Sequence, residues 1–172
     1  MKIQNTLLAL ASATLLAASP AFATGGAEAH HHEKSTASIG EPGQASQAMR
    51  TVQVEMRDSM QFVPSTLSVR QGETLRIVVK NTGQLRHEIV LGSEKDLKAH
   101  AEIMKKSPAM AHPEPQMLTL AGGQSGALLW KFSQAGVVDF ACLQPGHFEA
   151  GMKGRVQVIA AKAAQAGDAH AH

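Results

Sequence analysis

Between residues 51 and 160 apolar side chains recur at every second position in several short runs, and most runs are bounded by glycine, proline or asparagine. That spacing constrains the fold more than any other feature, because a period of two puts one face of an extended chain into a core and leaves the other in water. Val52, Val54 and Met56 alternate with polar residues, and Leu75, Ile77 and Val79 do the same after Gln71-Gly72. Ile89 to Leu91 follow the turn sequence Asn81-Thr82-Gly83; Met117 to Leu120, Leu128 to Phe132, Val137 to Ala141 and Val156 to Ile159 follow in turn. Short strands with regular turn punctuation predict an all-β fold, a Greek-key β-sandwich. One stretch departs from the pattern. Ser93 opens an S-x-x-D sequence, and residues 94–106 then carry Leu97, Ala101 and Met104 at helical spacing until Pro108. This predicts a short helix inserted between strands, capped by Ser93.

The flanks differ in composition. Residues 1–23 have a signal-peptide form: Lys2, an apolar run from Leu7 to Ala18 too short to span a bilayer, and Ala21-Phe22-Ala23 as a small-x-small cleavage site. They are expected to be removed, leaving a mature protein in a bacterial periplasm with no membrane insertion. Residues 24–50 hold almost no bulky apolar side chain and include His30, His31 and His32; they are expected to be a flexible arm. Residues 51–160 are expected to be the single domain, and 161–172 an Ala- and His-rich tail. The formal net charge of +2 gives no basis for binding nucleic acid or an anionic membrane surface.

The chain has one cysteine, in CLQPGHFEAGM at residues 142–152. An unpaired thiol is a liability in an oxidising compartment, so it is expected to be buried or held. His147 and Met152 follow Cys142 at five-residue steps. A site that passes between Cu(I) and Cu(II) suits a soft thiolate, imidazoles and a weak thioether donor. Cys142, His147 and Met152 supply one of each, and His87, where the strand of HEIVLG begins, is the best-placed second imidazole. Zinc would accept the thiolate and imidazoles, but a thioether suits it poorly. Met152 also suits simple core packing.

The order His87, Cys142, His147, Met152 resembles the type 1 copper site of the cupredoxins. The flanking sequences 60–88 and 136–158 are similar to the run into the first histidine ligand and to the ligand loop with its last strand. The resemblance implies that His87, Cys142 and His147 form a trigonal plane, with Met152 as the long axial contact. More narrowly, the inserted helix and residues 99–117 look like the periplasmic cupredoxins of bacterial copper tolerance. One position departs from many of the electron carriers of the family: Glu88 stands where they have asparagine. Its carboxylate is able to accept hydrogen bonds, and its negative charge would favour Cu(II).

Soft and imidazole donors exceed what one centre needs, with nine His and eight Met in the chain. His100 and Met104 are spaced i, i+4, and Met110, His112 and Met117 follow. His100, Met104, Met110 and His112 are therefore expected to contribute a second, more exposed copper site, while His170 and His172 end the tail. The resulting expectation is a periplasmic copper-binding protein of copper tolerance that holds copper and oxidises it or passes it to a periplasmic protein. The alternative is a one-electron carrier between periplasmic redox partners, docking through an apolar surface of Pro145 and Phe148 around His147. An enzyme of the multicopper oxidase kind needs further cupredoxin domains and paired histidine motifs, so an enzymatic role is not expected.

Overall fold

A computed structural model of the chain describes residues 39–106 and 113–161. In these residues the strands are β1 (Glu41–Pro42), β2 (Arg50–Arg57), β3 (Gln61–Val63), β4 (Thr66–Arg70), β5 (Thr74–Asn81), β6 (His87–Gly92), β7 (Met117–Leu120), β8 (Ser125–Lys131), β9 (Gly136–Ala141) and β10 (Lys153–Ile159). The helix α1 (Glu94–Lys106) lies between β6 and β7. One sheet has the order β1-β8-β5-β2-β3 and the other β4-β10-β9-β6-β7. The chain passes repeatedly from one sheet to the other, giving the expected β-sandwich. The pairs β2–β5 and β4–β10 are parallel; the remaining pairs are antiparallel. No helix among the described residues is long and apolar enough to cross a membrane.

The inner faces follow from the period-two pattern. Met56, Leu75, Ile77, Trp130, Phe140 and Val156 are fully buried between the sheets, and Phe62 meets Phe140 edge to face at 5.0 Å between ring centroids. A second, smaller core lies under the helix. Leu97, Ala101 and Met104 pack there with Val90 of β6, Ala141 of β9, and Leu143 and Phe148 of the following loop. The Ser93 hydroxyl accepts from the Asp96 amide at 3.2 Å and donates to the Asp96 carboxylate at 2.6 Å, which starts the helix where the sequence predicts.

Residues 39–50, the last part of the expected arm, are among the described residues; they are tied to the sandwich at a few points, although most of their side chains are exposed. Ile39 is buried, Glu41–Pro42 pairs with Trp130 and Lys131 on the edge of β8, and Met49 and Arg50 lead into β2. The physical reason is the indole of Trp130, which is completely buried and must find an acceptor for its N–H. It donates to the Ile39 carbonyl at 2.8 Å. The expected leader at residues 1–23, the histidine triplet, Met110, His112, His170 and His172 lie outside the described residues.

Candidate metal centre

Two neighbouring strands bring the thiol and the first histidine together. β6 pairs with β9 in the register Val90↔Ala141, so His87 at the start of β6 lies at the same end of the sandwich as Cys142, which directly follows β9. Residues 142–152 then form a compact loop that returns the chain into β10. The loop is closed by its own backbone: the His147 amide donates to Gln144 O, the Met152 amide to His147 O, and the Cys142 amide to Met152 O at 3.1 Å. Gly146 has φ +85°, a left-handed conformation that a side chain would strain, and it turns the chain immediately before His147.

The donor atoms of His87, Cys142 and His147 all lie within 4.8 Å of one another. The two Nδ1 atoms are 3.2 Å apart, and Cys142 Sγ is 3.3 Å from His147 Nδ1. An ion bonded to imidazole nitrogen at about 2 Å spaces two such ligands by roughly 3.1–3.6 Å, so the cluster has the separations of a small coordination sphere. Its donors, one thiol and two imidazoles, also have the softness that copper prefers. The residues therefore fit a copper ion. Met152 is completely buried in the main core beside Cys142, at the last position of the loop.

Protonation is set largely by burial. The Cys142 thiol is pushed up to about 12, first by burial and also by the negative charge of Glu88, against hydrogen bonds from the Glu88 and Gln144 amides that act the other way. Burial, and then the neighbouring His87, hold His147 below the usual imidazole range, which keeps its ring neutral and available to a metal.

The groups behind the donors are more specific than the sequence suggests. Glu88, 1% exposed, accepts hydrogen bonds from the Leu143 amide at 3.1 Å, the Gln144 side-chain amide at 3.0 Å and the Thr119 hydroxyl at 3.2 Å. Its own amide points at Cys142 Sγ, 3.4 Å away. Glu88 thus ties the start of the ligand loop to β6 and β7, as its acceptor chemistry allows. Sequence reading missed Asp58, which follows β2 and lies 3.0 Å from His87 Nε2. No motif marks it: Asp58 is an ordinary turn residue until the fold places it against β6.

The described donors of the insertion differ in burial. Met104 is 2% exposed and fills the small core, while His100, on the same helix, is half-buried. Met104 packs in the same buried cluster as Leu97 and Ala101. Met117 packs against the same core. Phe148 departs from its expected place on a docking surface: it is turned inward against the helix, with the Lys153 ammonium 3.8 Å from its ring centroid.

Comparison with known proteins agrees with this architecture. Residues 48–159 match the copper-binding proteins of the plastocyanin/azurin family. The chain is 51% identical to the copper-resistant cuproprotein CopI of Rubrivivax gelatinosus, over 77% of this chain and 79% of that one. It is 34% identical to the protein of the same name from Pseudomonas aeruginosa, over 70% and 82% of the two chains. Among solved structures it resembles auracyanin B, with a TM-score of 0.57 and 26% identity, covering 69% of this chain and 95% of that one. With the family match spanning β2 to β10 and a thiol–imidazole cluster at the end of the sandwich, the chain belongs to the plastocyanin/azurin family of copper-binding proteins.

Proposed function

We propose that the chain is a periplasmic cupredoxin of copper tolerance whose type 1 centre is built from His87, Cys142 and His147, with Met152 as the weak fourth donor. The observation that carries this reading is the buried Cys142 thiol with two imidazole Nδ1 atoms around it. The relatives named for copper resistance support the physiological part. The leader at residues 1–23 is the basis for the periplasmic location, and residues 51–160 with the packed segment from Ile39 would be the mature domain. A bound copper ion would supply one-electron chemistry and intense thiolate-to-metal absorption. The chain would contribute a rigid His87, a buried thiolate and a half-exposed His147 through which an electron or an ion can be exchanged.

The half-exposure of His147 also favours the second reading, a one-electron carrier. Against it stands the inward placement of Phe148, which leaves Pro145 without its expected aromatic neighbour on the exposed surface. A thiolate-free second copper site is a further part of the copper-handling reading; His100, Met104, Met110 and His112 are its proposed donors, with Met104 also packed in the small core. The test is addition of Cu(II) to the mature protein. One strongly absorbing copper per chain, lost in Cys142→Ala, is the expected result; tight copper binding that keeps its visible spectrum without Cys142 would overturn the assignment. Oxidation of Cu(I) in the presence of dioxygen, measured against the same variant, separates copper handling from electron transfer alone.

A further inference from the structure

We infer that Asp58 is a positioning residue of the centre, whose carboxylate fixes the ring of His87 so that its Nδ1 lone pair faces Cys142 and His147; the inference rests on the reading of His87 as a ligand. His87 is fully buried, and its two ring nitrogens face opposite ways: Nδ1 meets His147 Nδ1 at 3.2 Å and Nε2 meets Asp58 Oδ1 at 3.0 Å. An ionised carboxylate only accepts hydrogen bonds, so the proton of the neutral imidazole is on Nε2. Nδ1 is then left with a lone pair.

Asp58 is itself held. Its Oδ2 accepts from the Gln84 amide at 2.8 Å and its Oδ1 from the Leu85 amide at 3.2 Å. The intervening loop is shaped to admit the carboxylate: a Cβ on Gly83 would lie 2.0 Å from Asp58 Oδ1. Asn81, fully buried, steadies the same loop by accepting from the Gly83 amide and donating to the Leu85 and Leu120 carbonyls. The path Asn81, loop 82–86, Asp58, His87 therefore transmits the order of the β5–β6 connection to the ring.

A carboxylate on the far nitrogen of a metal-bound imidazole raises the basicity of the ligand, and its loss typically lowers metal affinity about 10- to 100-fold. The charge favours Cu(II) over Cu(I), so the reduction potential should rise when it is removed.

The test uses full-length mature protein with Asp58→Ala and Asp58→Asn. In the metal-free state, ring 15N shifts of His87 should report a single Nε2–H tautomer in the parent and in Asp58→Asn, whose side-chain oxygen still accepts, and a mixture in Asp58→Ala. Cu(II) affinity should fall about 10- to 100-fold in Asp58→Ala and Cu(I) affinity by less, with Asp58→Asn intermediate. A merely structural role in the 84–85 loop would move neither the tautomer nor the Cu(II)/Cu(I) ratio. An unchanged tautomer together with unchanged Cu(II) affinity in Asp58→Ala overturns the inference. Should Asp58→Ala fail to fold, Asp58→Asn alone decides it: an unchanged ratio of the two affinities overturns the inference and a lowered one supports it. If the parent binds no copper through Cys142, the reading of the centre fails, whereas the tautomer still decides the role of Asp58.

Discussion

The two histidines at the candidate centre are held in opposite ways. His87 begins a strand that is buried along its whole length, pairs with β7 and has Asp58 behind it. His147 sits half-exposed in a loop that closes on its own backbone and leans on the inserted helix. One side of the centre is thus fixed by the sandwich and the other by a local loop with its own small core. That division suggests a site with one imidazole permanently in place and another able to admit exchange.

The largest effect should come from breaking the strand side. His87→Ala removes a fully buried ring and leaves a cavity with Asp58, Cys142 and His147 around it, so the metal-free protein should lose about 3 kcal/mol of stability or more. His147→Ala, at a half-exposed position, should cost less than about 1 kcal/mol, although both variants should lose tight copper binding. Denaturant unfolding of the two metal-free variants makes the comparison. Equal losses would mean that the loop is as deeply integrated as the strand and would remove the proposed asymmetry.

Next in size is the support beneath the loop. Leu97 is 3% exposed and meets the core that contains Leu143 and Phe148. Leu97→Ala should lower stability by about 2–3 kcal/mol, and its effect should spread to the loop 142–152, seen as faster amide exchange over residues 143–151 while β2 and β5 keep their protection. A stability loss with unchanged exchange in that loop would separate the helix from the site.

Much of this organisation is legible in the sequence, though unevenly. The helix bounds at 94–106 and its buried face of Leu97, Ala101 and Met104 follow from a capping serine and a period near four, which are local properties. The clustering of His87 with Cys142 and His147 follows from donor chemistry and the resemblance to cupredoxins. What fails to show is whatever depends on long-range pairing. Ile39 has no apolar neighbours to announce a packed segment, and only the buried indole of Trp130, 91 residues later, explains it. The strands β3 and β4 carry only a weak local signal, β3 being three residues long and β4 having only Leu67 and Val69 in alternation. Asp58 and Thr119 gain their roles from register, which no local signal carries.

The pH dependence should place the titrating groups on the loop side. With the Cys142 thiol pushed up to about 12, the metal-free protein carries this proton at neutral pH, and binding copper as a thiolate must release it. Apparent affinity should therefore rise about tenfold per pH unit through neutrality. His147 is held below the usual imidazole range, so it gives up no proton there and steepens the slope only in acid. For the metal-free fold the sign is opposite: a raised thiol pKa contributes stability below the pKa of the unfolded thiol and loses it as pH rises toward about 12. Proton release measured calorimetrically in buffers of different ionisation enthalpy checks the first part, and a pH-independent affinity near neutrality would exclude thiolate formation on binding.

The smallest effect concerns the tie between the helix end and the loop. Lys105 Nζ lies 2.6 Å from Glu149 and 2.7 Å from Glu102, with all three side chains substantially exposed to solvent. Solvent screening and the ordering of two long side chains leave such pairs with little net stabilisation. Lys105→Gln should accordingly leave the unfolding midpoint unchanged within error and produce only a slight rise in amide exchange near Glu149, which raising the salt concentration should reproduce in the parent protein. Apolar contact from Leu97, Ala101 and Met104, and not charge, would then be what fastens the loop to the helix. If Lys105→Gln instead lowers stability as far as Leu97→Ala does, the ion pair is the fastening, and the loop side of the centre should release its grip as ionic strength rises while the strand side around His87 does not.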